Sequence, residues 1–366
     1  MNEIELTQEL VRINSENPPG NEKQIAKFIY DYLNDLKIPA EIMEFEKNRF
    51  NVVGVICKGE GLMLNGHLDT VPAGNVNNWK YSPFDGKIVG NKLYGLGTSD
   101  MKGAIAAMMT SLKNLKMEDL KRKLLLAFVS DEEVNFKGSI YLIKKRKDLI
   151  GDVNYGVIGE PSELNVGIAN KGIVDVKVKF LGKAAHGSTP WRGDNAILKA
   201  MKFVQETEKL SKNFKIKDSL LGKGTINIGK IMGGTKINMV PDFCEIEVDR
   251  RLVPGETPKM ALKQFKNILK KMKINAKMEL NNARLPLKLS EKSKIVKLVQ
   301  EATNGKLVMA TGYNEAELYY RDAGMGCVVF GPGTGKCAHA PNEYIEIPKL
   351  KKSVKIYEQI IKKWCC

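Results

Sequence analysis

The chain has 366 residues, of which 43% are hydrophobic and 27% charged, the balance of a soluble globular protein with one large core or two ordinary ones. No apolar run approaches the ~20 residues that a membrane helix needs, and the acidic start Met1-Asn2-Glu3-Ile4-Glu5 opens an amphipathic pattern rather than a signal peptide. The net charge of +16 comes from lysines spread along predicted helices without an aromatic-interleaved basic patch, so it describes a solvated surface and argues against nucleic acid as partner. A positive potential that draws small anionic substrates toward a cleft stays open. The six cysteines, Cys57, Cys244, Cys327, Cys337, Cys365 and Cys366, form no Cys-x-x-Cys pair. That usage argues against a disulfide framework and for a reducing cytoplasm. Cys327 is expected in the core, and Cys365-Cys366 on the surface.

Apolar spacing of three and four predicts helices over 4–13 and 24–36, separated by the turn Asn17-Pro18-Pro19-Gly20. Strands are expected at 41–45, 51–56 and 61–65, the last ending at Gly66-His67. A helix over 101–115 is expected to open on Ser99-Asp100 in the capping position. Apolar strands at 124–129, 155–158 and 326–330 end in Ser130-Asp131-Glu132-Glu133, Gly159-Glu160-Pro161 and Gly331-Pro332-Gly333. Alternating strands and helices argue an α/β sheet, and the polar residues gather just past strand carboxyl ends, where open α/β sheets place ligands.

The middle of the chain differs. Val174, Val176, Val178 and Phe180 alternate with Asp175, Lys177 and Lys179. Helices over 196–210 and 259–272 and strands at 224–231, 244–249 and 277–280 follow. The order βαββαβ is that of a small two-layer α+β domain. It is expected as an insert at 173–284, leaving a discontinuous catalytic domain of 1–172 and 285–366.

The three histidines each lie in a stretch of glycine turns or acidic residues: Gly66-His67-Leu68-Asp69, Ala185-His186-Gly187 and Ala338-His339-Ala340. Such sparing use points to metal or proton chemistry. Taken singly, Asp100 reads as a helix cap, Glu132-Glu133 as a solvated turn and Gly159-Glu160-Pro161 as a loop. Together, five carboxylates (Asp69, Asp100, Glu132, Glu133, Glu160) with His67 and His339 at one sheet edge would repel one another and raise each other's pKa. Bound cations remove the conflict, and nitrogen and oxygen ligands without cysteine suit Zn²⁺, with Co²⁺ or Mn²⁺ as alternatives.

Gly66-His67-Leu68-Asp69-Thr70-Val71-Pro72, Tyr94-Gly95-Leu96-Gly97-Thr98-Ser99-Asp100-Met101-Lys102-Gly103, Asp131-Glu132-Glu133, Gly159-Glu160-Pro161-Ser162 and Ala338-His339 resemble the motifs of one family. It comprises the dinuclear zinc hydrolases that include acetylornithine deacetylase, succinyl-diaminopimelate desuccinylase, aminoacylase and glutamate carboxypeptidase. The likeness runs over nearly the whole chain. It implies a zinc-peptidase-like catalytic domain with a mixed sheet flanked by helices, and makes the insert a lid and dimerisation domain. It implies two divalent ions, with Asp100 bridging, His67 and Glu160 completing one site, and Glu133 and His339 the other. Asp69 would fix the ring of His67, and Glu132 would be the general base. His186 would reach the oxyanion in a partner subunit's site, which implies a homodimer; otherwise it is a surface-turn histidine. Asn238, Arg251 and Gly312 would bind substrate, although Arg251 could instead pair with Asp249 or Glu247.

Two stretches depart from the family pattern. Leu96 stands where arginine is frequent, a change expected to alter packing rather than metal binding. Thr311-Gly312-Tyr313-Asn314-Glu315-Ala316-Glu317 is similar to the deacetylases rather than to the Ser-Asp-Gly-Arg-like stretch of the desuccinylases. Glu315 could face a cationic side chain of the substrate or could serve as a helix-start acid. The resemblance thus implies hydrolysis of the amide of an N-acyl amino acid, acetylornithine being the nearest model. Desuccinylation, or cleavage of a short peptide by a carboxypeptidase or dipeptidase, are the alternatives on the same scaffold. An inactive scaffold would be expected to lose Glu132 or a ligand, and none is lost.

Overall fold

The computed structural model describes residues 1–310 and 312–366. The chain divides into two compact units, Met1–Ile168 with Leu289–Cys366, and Ala169–Lys288.

The first unit is built on a mixed sheet whose strands run, neighbour to neighbour, Ala40–Glu46, Arg49–Ile56, Lys123–Val129, Gly61–His67, Val153–Ile158, Gly326–Val329 and Val166–Asn170. The four strands from Lys123–Val129 to Gly326–Val329 are mutually parallel. Antiparallel pairs flank them. Every residue of Lys123–Val129 and of Gly61–His67 is buried, as expected of parallel strands covered on both faces. The helices Glu3–Arg12, Gly103–Lys113, Lys294–Thr303 and Ile347–Cys365 pack as one group, and Lys23–Asp35, Lys137–Lys145 and Glu315–Ala323 contribute to the other cover. Parallel pairing brings four strand carboxyl ends to one edge. From that edge emerge the segments carrying Asp69, Asp131 to Glu133, Glu160 and the glycine-rich run to His339.

Local signals set the helix starts. Asn2 accepts hydrogen bonds from the amides of Ile4 and Glu5, and Glu5 accepts one from the Asn2 amide at 2.9 Å, a complete capping box. The helix expected from Met101 begins instead at Gly103 with no side-chain cap. Thr98–Lys102 forms a wide π-type turn in which Asp100 (φ −127°, ψ 88°) and Met101 (φ −137°, ψ 31°) leave helical geometry, so Asp100 is not a cap. The C-terminal expectation is also corrected. Cys365 is fully buried and Cys366 alone is exposed. The Cys365 carbonyl accepts the amides of Lys121 at 2.7 Å and Arg122 at 3.1 Å, which seats the end of the last helix beside the strand Lys123–Val129.

The second unit is an antiparallel sheet in the order Thr225–Gly233, Phe243–Leu252, Gly172–Leu181, Ala276–Arg284. The helices Ala196–Lys212 and Pro258–Met272 pack on it. Val174, Val176, Val178 and Phe180 point into one core with Ile246, Val248, Phe203 and Phe265. Phe203 stands between Phe180 and Phe265, with ring centroids 5.5 Å and 6.2 Å away. Among the described residues, no helix is long and apolar enough to cross a membrane.

Phe203→Ala should therefore cost about 3–5 kcal/mol in urea unfolding followed by circular dichroism. The exposed neighbour substitution Lys202→Ala should stay within about 0.5 kcal/mol. Equal effects of the two would show that the aromatic cluster does not hold this unit together.

Candidate metal centre

His67 ends a buried strand, and its ring Nδ1 lies 2.8 Å from the main-chain carbonyl of Asp69. The ring is thus held by backbone, while the Asp69 carboxylate is 3.9 Å away and has other partners. Its oxygens accept the amides of Glu132 and Glu133, each at 3.2 Å, and Nδ2 of Asn17 at 2.9 Å. The carboxylate expected to orient His67 instead fixes the turn that carries Glu132 and Glu133, and the main-chain carbonyl of the same residue holds the ring.

Asp100 offers one oxygen to each of two imidazoles: Oδ1 lies 3.1 Å from His67 Nε2, and Oδ2 lies 3.4 Å from His339 Nε2. Glu160 approaches His67 Nε2 at 3.5 Å. Glu133 approaches His339 Nε2 at 3.1 Å. Two triads result, His67 with Asp100 and Glu160, and Asp100 with Glu133 and His339. Within each, potential ligand atoms lie within 4.8 Å of one another. Glu132 belongs to two further groups, one with His67 and Glu133, the other with Glu160 and Glu315.

The electrostatics match this crowding. Burial, then the neighbouring carboxylates of Glu160 and Glu315, push the Glu132 carboxyl well above its ordinary value. Burial, then Asp100, does the same to Glu160. Burial opposes charge on His67, but the contact with Asp100 and the charges of Glu132 and Glu160 outweigh it, so its pKa is raised. Hydrogen bonds with Asp100 and Glu133 push His339 up to about 10. Burial opposes ionisation of Asp100 too, yet its two imidazole partners hold its carboxyl below the usual range. A buried set of carboxylates that stabilises cationic imidazoles will stabilise a metal cation by the same attraction. The donors are imidazole nitrogen and carboxylate oxygen without thiolate, and among the described residues Oε2 of the fully buried Glu315 has no hydrogen-bond partner. These residues fit divalent cations.

Glu315 groups with Glu132 and Glu160. It opens the helix Glu315–Ala323, has no exposed surface, and holds Ser139 Oγ at 3.4 Å. Burial pushes its carboxyl up to about 7. It stands at a helix start beside Glu132 and Glu160. Leu96 is buried, with its amide on the Pro83 carbonyl at 2.7 Å.

Several supporting residues carried no functional role in the sequence analysis. Asn17, read there only as part of a turn, donates to both Asp69 and Asp131, at 2.9 Å and 3.1 Å. Arg49 donates to Asp131 at 3.0 Å and bidentately to Glu22, at 2.8 Å from Nε and 2.7 Å from Nη2. This buried chain Glu22–Arg49–Asp131 anchors the turn just before the Glu132-Glu133 pair. Glu343 collects three backbone amides of the Asp100 loop. The only sequence signal for it was its place four residues beyond His339.

Of the remaining candidates, His186, Asn238 and Arg251 belong to the second unit and Gly312 to the first. Within the second unit His186 is exposed, with Nδ1 2.7 Å from Ser188 Oγ. The Gly187 amide donates to the carbonyl of the exposed Asn238 at 2.8 Å, so these two loops adjoin. Arg251 is one-third exposed and its Nε pairs with Asp249 at 2.8 Å, the structural alternative foreseen for it. Gly312, in the first unit, is exposed with φ +75° and open space around it. Thr311, quoted with it in the family comparison, lies outside the described residues.

A parallel-stranded α/β unit with paired histidine–carboxylate triads beside its strand ends carries the donor set of a metallohydrolase. The chain belongs to peptidase family M20/M25/M40, whose profile matches residues 63–363, and it is a metal-dependent hydrolase of that family. It is 28% identical to a probable succinyl-diaminopimelate desuccinylase of Staphylococcus aureus, over 97% of this chain and 96% of the relative. It is 30% identical to an acetylornithine deacetylase of Aliivibrio salmonicida, over 94% of this chain and 92% of the relative. Its fold is that of an M20 family metallo-carboxypeptidase from Sulfolobus solfataricus, with TM-score 0.82, 21% identity and 98% of both chains covered.

Arg49→Met removes the cation between Glu22, which is fully buried, and Asp131. Breaking a buried pair in this way should cost about 3–5 kcal/mol of stability, read by urea unfolding. Turnover at saturating substrate should fall with it, because the Glu132 turn loses its anchor. Wild-type stability and turnover together would show that the chain of charges is dispensable.

Proposed function

We propose that this enzyme hydrolyses the amide bond of an N-acyl amino acid, with acetylornithine-like substrates first. The observation that carries the reading is Asp100, one carboxylate serving two histidine–carboxylate triads. His67, Asp100 and Glu160 would hold one divalent ion, and Asp100, Glu133 and His339 a second, with zinc the best match to this ligand set and Co²⁺ or Mn²⁺ as alternatives. Bound there, such ions supply Lewis-acid chemistry, polarising a carbonyl and acidifying water.

The chain's own residues do the rest. Glu132 is buried beside both triads and its carboxyl is pushed upward by burial and like charge, which suits a group that must take a proton and give it back. It receives the proton of the attacking water and delivers it to the leaving amine nitrogen. Asp69 holds the Glu132 and Glu133 amides, so the base stays aimed. Asn238 and Arg251 would orient the substrate, the guanidinium exchanging Asp249 for a substrate carboxylate, and Gly312 would leave room for substrate beside the Glu315 helix. His186 would donate to the oxyanion in the site of a second copy, which makes the working form a homodimer.

The similarity to both a deacetylase and a desuccinylase supports the N-acyl amino acid class. The stretch Gly312-Tyr313-Asn314-Glu315-Ala316 favours the deacetylase side. Desuccinylation and cleavage of a short peptide are the competing specificities. Metal-loaded enzyme offered N-acetylornithine, N-succinyl-diaminopimelate and a dipeptide panel should release amine fastest from the first. Fastest release from a dipeptide would replace the deacylase reading.

Two variants probe the roles. Glu132→Gln should keep its metal content, by elemental analysis, and lose turnover by roughly two to four orders of magnitude. Near wild-type turnover would remove Glu132 as the base. His186→Ala should lower kcat with little change in KM, and a pure rise in KM would assign it to ground-state binding instead.

A further inference from the structure

We propose that Glu343 is a positioning residue that latches the Asp100 loop to the His339 loop, and that this latch selectively sets the affinity of the cation position formed by Asp100, Glu133 and His339. The inference rests on the ligand assignment above.

Glu343 is 1% exposed and precedes the strand Tyr344–Glu346. Its Oε2 accepts the Gly97 amide at 2.8 Å, and its Oε1 accepts the amides of Ser99 at 2.7 Å and Asp100 at 3.0 Å. Its own carbonyl accepts the Gly95 amide at 3.0 Å. The other end of the His339 segment is tied to the same loop. Ser99 Oγ accepts the Thr334 amide at 2.6 Å and donates to the Thr334 carbonyl at 3.0 Å. The Asp100 loop is therefore gripped from both sides of His339.

The grip is needed because the loop does not satisfy itself. Gly97 is left-handed (φ +79°), and Asp100 and Met101 are outside helical geometry, so these amides lack helical acceptors. Buried without Glu343, each would carry a desolvation cost. A carboxylate accepting several amides forms charge-assisted bonds, stronger than neutral ones.

The two triads depend on this latch unequally. His67 closes a strand of the sheet, and Glu160 follows Val153–Ile158 by two residues. The ladders of parallel strands fix both. His339 lies in a loop at φ +58° with its side chain 52% exposed, and its distance from Asp100 is set by the contacts of Glu343 and Thr334. Loosening the latch should therefore weaken the triad containing His339 and largely spare the one containing His67.

Glu343→Gln keeps the shape but replaces one acceptor by an NH₂ that faces an amide donor. Glu343→Asp keeps the charge on a stem one methylene too short to reach all three amides, and serves if the first variant does not fold. Metal-free wild type and variants are titrated with Zn²⁺ by calorimetry. Wild type should take up two equivalents. The variants should bind one within threefold of wild type and the other roughly tenfold to a hundredfold more weakly. In the metal-free proteins, amide exchange at Gly97, Ser99 and Asp100 should be faster in the variants.

Two full-affinity equivalents in both variants, or a parallel loss of both with a falling Tm, would overturn the selective role. Wild type that takes up no zinc would strike the ligand assignment itself. The exchange data then still decide the latch: faster exchange at those amides supports it, and unchanged exchange refutes it.

Discussion

Repulsion among the carboxylates of Asp100, Glu132, Glu133 and Glu160 is the constraint that the rest of the first unit answers. Four acidic groups gathered around two imidazoles would separate in an unsupported chain, since each ionised group raises the cost of the next. Here Glu132, Glu133 and Glu160 converge because parallel strands deliver their carboxyl ends to one edge, and the Thr98–Lys102 turn brings Asp100 to them. The helices that bury Gly61–His67 and Lys123–Val129 on both faces keep that edge rigid. Divalent cations bound there would offset that repulsion.

Three sets of contacts hold the acidic loops where the sheet alone cannot. Asp69 grips the Glu132-Glu133 turn through its amides. Asn17 and Arg49 anchor Asp131 just before it. Glu343 and Thr334 hold the Asp100 loop from the side of His339. Each sets polar or charged groups against backbone or a charged partner in a buried setting, where such bonds are strong and their loss is costly. The geometry of the acidic loops is thus carried by residues outside the two triads.

Much of this was legible in the sequence because the signals are local. Alternation of Val174, Val176, Val178 and Phe180 gave the strand Gly172–Leu181, and apolar runs gave the four parallel strands. Glycine and acidic clusters at their ends gave the ligand candidates, which the motif likeness then sorted into roles. What escaped depends on distant partners. Asn17-Pro18-Pro19-Gly20 announces a turn, but not that Asn17 reaches Asp69 and Asp131. Arg49 and Glu22 are ordinary surface residue types until the fold buries them. The helix expected from Met101 starts two residues later because Asp100 and Met101 leave helical geometry, in a loop whose Asp100 amide is held by Glu343, 243 residues away. Cys365 looked terminal and therefore exposed, yet its carbonyl closes against Lys121 and Arg122.

The proposed dependence of two metal positions on a single shared carboxylate is tested most directly by metal stoichiometry in an Asp100→Asn variant. Purified wild type reconstituted with zinc and analysed for bound metal should hold two ions per chain. The variant should lose high-affinity binding at both positions while keeping its fold by circular dichroism. A variant that still binds two ions tightly, or a wild type that binds none and hydrolyses amides in the presence of a strong chelator, would contradict the account.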